Sequence, residues 1–252
     1  MADSVAPRPL VVLTRSVDDN VALATLLEAS GVDTLAIPTA RLVSRPPLQG
    51  LSALRTAFLK ADAIAFTSRY GVRAVADLGL LDALRTCPCV AAVGRRTRLE
   101  LERYDVLCDT QPGASTGAAL GRALADRLPP GSLVVCPQAA HARPELRDTL
   151  VARDLVAETY DVYENQAPPA PVERVLLRAR SATALYFAAP SAADRLLSWD
   201  PELKAIPWVA IGPTTARVVQ GRHGHAPTCV AQEPTLDAVV AAIATALDLS
   251  LE

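Results

Sequence analysis

Apolar and polar positions along the chain switch repeatedly between two periods. Residues 10–14 form a continuous apolar run, the pattern of a strand buried on both faces. Asp18 or Asp19 follows as a cap for a helix through Ala29, which Gly31 ends. Residues 32–37 read as a second strand and complete a βαβ opening. The alternation continues, with strands predicted at 63–67, 90–93, 106–109 and 133–136. Helices are predicted to begin within 72–77 and to cover 96–104, 116–127 and 145–153. Strands alternating with helices of this length imply α/β architecture with mainly parallel sheets flanked by helices.

A repeat runs through this pattern. Phe66-Thr67-Ser68 ends an apolar run, and Ala92-Val93-Gly94 with Thr97 follows, then a helix opening near Ser115-Thr116. Later, Tyr186-Phe187 ends an apolar run before Pro190-Ser191, and Ala210-Ile211-Gly212 with Thr214 and Thr215 precedes a helix opening at Thr235. Two similar α/β lobes are therefore expected. Proline collects at Pro46-Pro47 and at Pro168, Pro169 and Pro171. Residues 36–43 and 156–165 beside them have strand-like composition. The expected division is 1–41 with 167–252 as lobe one and 42–166 as lobe two, the two connecting strands lying side by side as a hinge.

The chain has 252 residues, 50% of them hydrophobic and 21% charged, with a formal net charge of −2. That excludes a disordered linker and a disulfide miniprotein, and no broad electrostatic grip on nucleic acid or a membrane is indicated. Lys60 and Lys204 are the only lysines among 25 basic residues, so any anionic ligand would meet arginine. Cys87, Cys89, Cys108, Cys136 and Cys229 form neither a CxxC pair nor a zinc spacing with the three histidines, and reduced thiols are expected. Residues 1–9 carry no apolar signal core, and no run reaches the roughly 18 apolar residues a membrane span needs, so a soluble cytoplasmic protein is expected.

In open α/β sheets ligands bind beyond the carboxyl ends of strands, where loops enter helix amino termini. Ser68, Thr97, Thr116, Ser191, Thr215 and Thr235 all fall there as candidate caps, with amide groups beside them free to hold an anion. Gly94 and Gly212 would permit close backbone approach, but neither belongs to a GxGxxG or P-loop pattern. Arg15, after the first strand, and Arg143, ahead of a helix, are the arginines best placed to supply charge. No nucleophile elbow or paired-carboxylate signature is present.

These loops resemble the uroporphyrinogen-III synthase family. The resemblance is carried by Val12-Leu13-Thr14-Arg15, Phe66-Thr67-Ser68, Ala92-Val93-Gly94 with Thr97, and Arg143 with Leu146 and Leu150. Val162-Tyr163, Pro190-Ser191-Ala192, Ile211-Gly212-Pro213-Thr214-Thr215-Ala216 and Glu233-Pro234-Thr235 complete it in order. It implies two α/β lobes joined by a two-stranded antiparallel linker. It also implies a lyase that cyclises hydroxymethylbilane to uroporphyrinogen III, inverting ring D through a spiro intermediate with loss of water.

By the same resemblance no metal or organic cofactor is needed, and an upstream synthase supplies the substrate. Tyr163 matches the family's linker tyrosine and becomes the candidate proton donor. Arg15, Ser68, Gly94, Thr97, Thr116, Arg143, Ser191, Gly212, Thr214 and Thr215 become candidate substrate contacts. A monomer is expected, because one cleft can be built within one chain. Two departures stand out: Tyr70 occupies a position where the family motif usually has Asn, and Ala188-Ala189 replace the usual Thr-Ser pair. The second departure keeps open a catalytically silent relative that binds a tetrapyrrole or another polyanion as a regulator.

Overall fold

Two five-stranded sheets organise the described residues. The structure, a computed structural model, describes residues 7–249, so most of the amino-terminal segment read for a signal sequence lies outside it. In chain order the elements are β1 (Leu10–Leu13), α1 (Val17–Ala29) and β2 (Asp33–Ala36). Then come β3 (Arg41–Ser44), α2 (Leu51–Lys60), β4 (Ala63–Phe66), α3 (Arg69–Asp77), α4 (Leu81–Arg85) and β5 (Val90–Ala92). They are followed by α5 (Arg95–Glu102), α6 (Gly117–Ala125), β6 (Leu133–Ala139), α7 (Glu145–Val151) and β7 (Val156–Gln166). The rest is α8 (Glu173–Arg180), β8 (Ala184–Phe187), α9 (Pro190–Trp199), a 3-10 turn (Pro201–Ala205), β9 (Trp208–Ala210), α10 (Pro213–His223), β10 (Cys229–Val230) and α11 (Leu236–Ala246). The described residues divide into two compact units, residues 7–41 with 167–249, and residues 42–166.

The first sheet has the order β10-β9-β8-β1-β2, and each of its pairings is parallel. The second has the order β3-β7-β6-β4-β5, with parallel β7–β6, β6–β4 and β4–β5 pairs. Both sheets are covered on two faces, and strand alternation divides the cores. Val12 packs into one cluster with Leu185, Phe187 and Trp208, while Val11 and Leu13 pack into another with Tyr186 and Ile243. In the second unit Ile64 and Phe66 face a cluster with Tyr160, Val162 and Tyr163, and Ala63 and Ala65 face one with Leu120, Leu146 and Leu150. Burial on both faces is why the central strands are continuous apolar runs instead of alternating ones.

Three local expectations need correction. Residues 106–109 are not a strand: Asp105 turns the chain at φ 54, and the Asp109 carboxylate accepts the Val90 amide at 2.8 Å, which takes the place of a ladder bond. Only an isolated bridge, Ala91 to Thr110, follows. Ser16, not Asp18 or Asp19, caps α1; its Oγ accepts from the Asp19 amide at 3.3 Å, leaving the two carboxylates in the first turn, where the helix dipole favours them. The helix predicted from 72 begins at Arg69, because Ser68 caps it from extended backbone.

Candidate active site

In the second unit, four loops converge at the carboxyl ends of β4, β5, β6 and β7. Thr67-Ser68 leads from β4 into α3, Val93-Gly94 leads from β5 into α5, and Ser115-Thr116 enters α6. Together with Ala139, Arg143 and Tyr163, the residues Thr67, Ser68, Val93, Ser115 and Thr116 line an open cleft of about 360 Å³, with Gly94 beside it. Ser68 Oγ accepts from the Tyr70 amide at 3.2 Å, and Thr116 Oγ1 accepts from the Ala119 amide at 3.2 Å. Both hydroxyls therefore cap helices while facing the cleft. Gly94 begins α5 with no side-chain cap, so the first amides of that helix are left to other acceptors.

Gly94 also answers to a steric demand. A Cβ there would stand 2.4 Å from Ser115 Oγ, so the absence of a side chain lets Ser115 close over the α5 amino terminus. Ser115, which the sequence reading did not select, thereby enters the cleft. Beneath it, α6 packs on α7 through Gly117 and Gly121; a Cβ on Gly121 would meet Thr149 Cβ at 2.8 Å.

Tyr163 reaches the cleft because β7 is irregular. Gln138 pairs with Asp161 but Ala139 pairs with Tyr163, so Val162 is the extra residue, and its carbonyl accepts instead from Arg45 N at 2.8 Å. Regular alternation would turn Tyr163 away from the face that holds Tyr160 and Val162; the bulge brings it into the same cluster. Its ring is buried at 7% exposure, its carbonyl accepts from Ala140 N at 2.8 Å, and its edge lines the cleft. Burial raises the phenol pKa above its ordinary value, a hydrogen bond with Ser68 partly opposes this, and the neighbouring Tyr70 adds to it. The phenol is therefore a protonated group throughout the physiological range.

Of the residues selected from sequence, Ser68, Thr116, Arg143 and Tyr163 line this one cleft, with Gly94 beside it. Arg143 is mostly exposed and stands 4.0 Å from Glu145. Thr97 is not a cap. It is the third residue of α5 and is buried, because Gly94 occupies the cap position.

The other selected residues lie in the first unit at the ends of its own strands. Arg15 follows β1, pairs with Asp19 at 3.6 Å and lies near enough to the buried Tyr186 phenol to oppose the rise in its pKa. Ser191 is an exposed second residue of α9, whose cap is Ala189, so it is not a cap. Gly212 caps α10 from extended backbone with open space around it, so no close approach requires glycine there. Thr214 is exposed on the first turn of α10, and Thr215 is buried inside it instead of capping it.

The family description "Uroporphyrinogen-III synthase HemD" matches residues 21–241. The chain belongs to this family. The match spans both units, and the family works in porphyrin, haem and tetrapyrrole biosynthesis. No curated protein sequence gives a significant match.

Among solved structures, uroporphyrinogen-III synthetase from Helicobacter pylori aligns at TM-score 0.59 and 20% identity over 95% of this chain and 99% of the other. A mutant uroporphyrinogen III synthase from the extremely thermophilic bacterium Thermus thermophilus aligns at 0.53 and 20%, also over 95% and 99%. These likenesses concern the fold: parallel sheets flanked by helices. Among the described residues no helix is long and apolar enough to cross a membrane, and no group of three or more His, Cys, Asp or Glu is placed to hold a metal ion.

Proposed function

We propose that the chain is a lyase that converts hydroxymethylbilane to uroporphyrinogen III with inversion of ring D, and that the cleft of the second unit supplies its proton donor. One observation carries this reading: the family's linker tyrosine, Tyr163, is turned by a β-bulge into a cleft rimmed by capping hydroxyls and helix amino termini. The substrate is a polycarboxylate. The amides of α3, α5 and α6 and the exposed Arg143 are suited to receive some of its carboxylates.

Chemically, the terminal hydroxymethyl C–O bond breaks, and its electron pair leaves with the oxygen as Tyr163 delivers a proton, releasing water. The pyrrole nitrogen supplies the electrons that form the azafulvene, and its N–H proton restores the phenol. The substituted α-carbon of ring D attacks to give a spiro intermediate, which fragments and recloses with that ring inverted. Closure without an enzyme already occurs but gives the uninverted isomer, so the protein's task is chiefly to position a flexible chain and exclude the direct route. A phenol is a weak acid, and its contribution is correspondingly modest.

The decisive assay supplies hydroxymethylbilane generated in place by its upstream synthase, oxidises the products and separates isomers I and III. Isomer III is expected from the wild type, with Tyr163→Phe about tenfold slower. Isomer I alone would refute the enzyme reading and leave the silent polyanion binder, which Ala188-Ala189 favours by removing two hydroxyls from the first unit's strand ends. Full turnover by Tyr163→Phe would remove the phenol from the mechanism.

A further inference from the structure

Tyr70, the second residue of α3, lies behind Tyr163 and is not among the residues that line the cleft. The two rings have centroids 6.3 Å apart and planes inclined at 45°, within the range of favourable aromatic pairs. Two arginines clamp Tyr70 in turn. Arg69 donates from Nη2 to the Tyr70 hydroxyl at 3.1 Å and places its guanidinium carbon 5.0 Å from the ring centroid. Arg73 stands 5.7 Å from the same centroid. Arg73 is itself anchored, because its Nε and Nη2 donate to the two oxygens of the buried Glu100 on α5 at 2.7 and 3.3 Å. A continuous chain of contacts therefore runs from α5 through Arg73 and Tyr70 to the phenol.

We infer that Tyr70 is a positioning residue for Tyr163: its ring, clamped by Arg69 and Arg73, fixes the orientation of the Tyr163 phenol at the cleft wall. This rests on the reading of Tyr163 as proton donor. Tyr163 is held through its backbone by Ala140, its hydroxyl shares the cleft wall with Ser68, and the Tyr70 ring supplies lateral support. A proton donor works only when its O–H points at the leaving oxygen, and orientation errors of 10–20° are enough to impair such a group. The ring supplies the contact to Tyr163, and the Tyr70 hydroxyl tethers that ring to Arg69.

The test compares Tyr70→Phe, Tyr70→Leu and Tyr163→Phe, singly and with each Tyr70 change combined with Tyr163→Phe, using hydroxymethylbilane generated in place. Tyr70→Phe keeps the ring and is expected within about threefold of wild-type kcat. Tyr70→Leu is expected to lower kcat about tenfold with KM within about twofold, and to raise the fraction of isomer I. In the Tyr163→Phe background the same change is expected to add less than about twofold, since there is then no phenol to orient.

Tyr70→Leu at wild-type kcat overturns the inference, and so does an undiminished tenfold loss in the Tyr163→Phe background. If the Leu variant does not fold, Tyr70→Gln, polar enough for a half-buried helical position and likewise without a ring, is read by the same criteria. The two proposals fail differently. Full turnover by Tyr163→Phe removes the donor itself, whereas a slow Tyr163→Phe beside a fast Tyr70→Leu removes only the positioning role.

Discussion

The two units arrange equivalent strands alike but furnish the strand ends differently. Placed side by side, β10-β9-β8-β1-β2 corresponds to the Thr110 bridge followed by β5-β4-β6-β7, so β8 matches β4 and β9 matches β5. After β4 the chain passes Thr67-Ser68, and a hydroxyl caps the next helix. After β8 it passes Ala188-Ala189, no side chain caps α9, and Pro190 at its first turn supplies preset backbone geometry instead. After β5 and β9 both units use an uncapped extended glycine, yet only Gly94 is crowded. The same backbone plan thus yields a hydroxyl-capped, crowded set of strand ends in one unit and uncapped, open starts to α9 and α10 in the other, so fold and chemistry are separable here.

Each unit also buries one carboxylate against an arginine, and removing that arginine is the harshest way to break the comparison. Asp200 receives Arg180 at 2.7 and 3.1 Å, and Glu100 receives Arg73 at 2.7 Å with Arg103 at 3.4 Å. Arg180→Met should give the largest drop in the calorimetric unfolding midpoint, because it leaves the buried Asp200 with only the Glu202 amide in place of that fork. Arg73→Met should cost less, since Arg103 remains beside Glu100, but it alone should slow turnover.

Alkaline pH provides the next contrast. Burial pushes the Tyr186 phenol up to about 12, although the nearby Arg15 works in the opposite direction. An unfolded tyrosine loses its proton near its ordinary value, so this contribution is intact below about pH 10 and is lost as pH rises toward 12. The loss is on the order of 2–3 kcal/mol. Unfolding midpoints across that range should fall steeply in wild type and less steeply in Tyr186→Phe; equal slopes would contradict the assignment.

Swapping the caps is gentler. Ser68→Ala should cost about 1 kcal/mol of stability and impair substrate use, whereas Ala189→Ser should add up to about 1 kcal/mol without changing turnover. At the neighbouring loops, Gly212→Ala should fall within about 0.5 kcal/mol of wild type, because open space surrounds it. Gly94→Ala should be the more damaging change, since Ser115 must move. Equal effects at the two glycines would erase the steric distinction between the units.

Much of the architecture was legible before any coordinates. The runs at β1, β4 and β8 are apolar throughout because parallel strands are covered on both faces, and that requirement is written directly in composition. Ser68, Thr116 and Thr235 announced helix starts, since a capping hydroxyl acts within a few residues of itself. Thr97, Ser191 and Thr215 failed as caps because a cap depends on where the helix begins, and that is set by the strand before it. The strand expected at 106–109 failed because a single carboxylate, Asp109, replaced its ladder.

What the sequence determined by itself was local and repetitive: the βα alternation, the repeated glycine and hydroxyl loops, and the motif order that marks the family. Tertiary structure decided which of those loops meet. Ser115 enters the cleft only because Gly94 has no side chain, and Tyr70 lies behind Tyr163 only because α3 packs near β7. Tyr163 itself faces inward only because one extra residue shifts the β7 register. Periodicity cannot foresee such an extra residue, since a bulge is defined by the pairing of two strands and not by either strand alone.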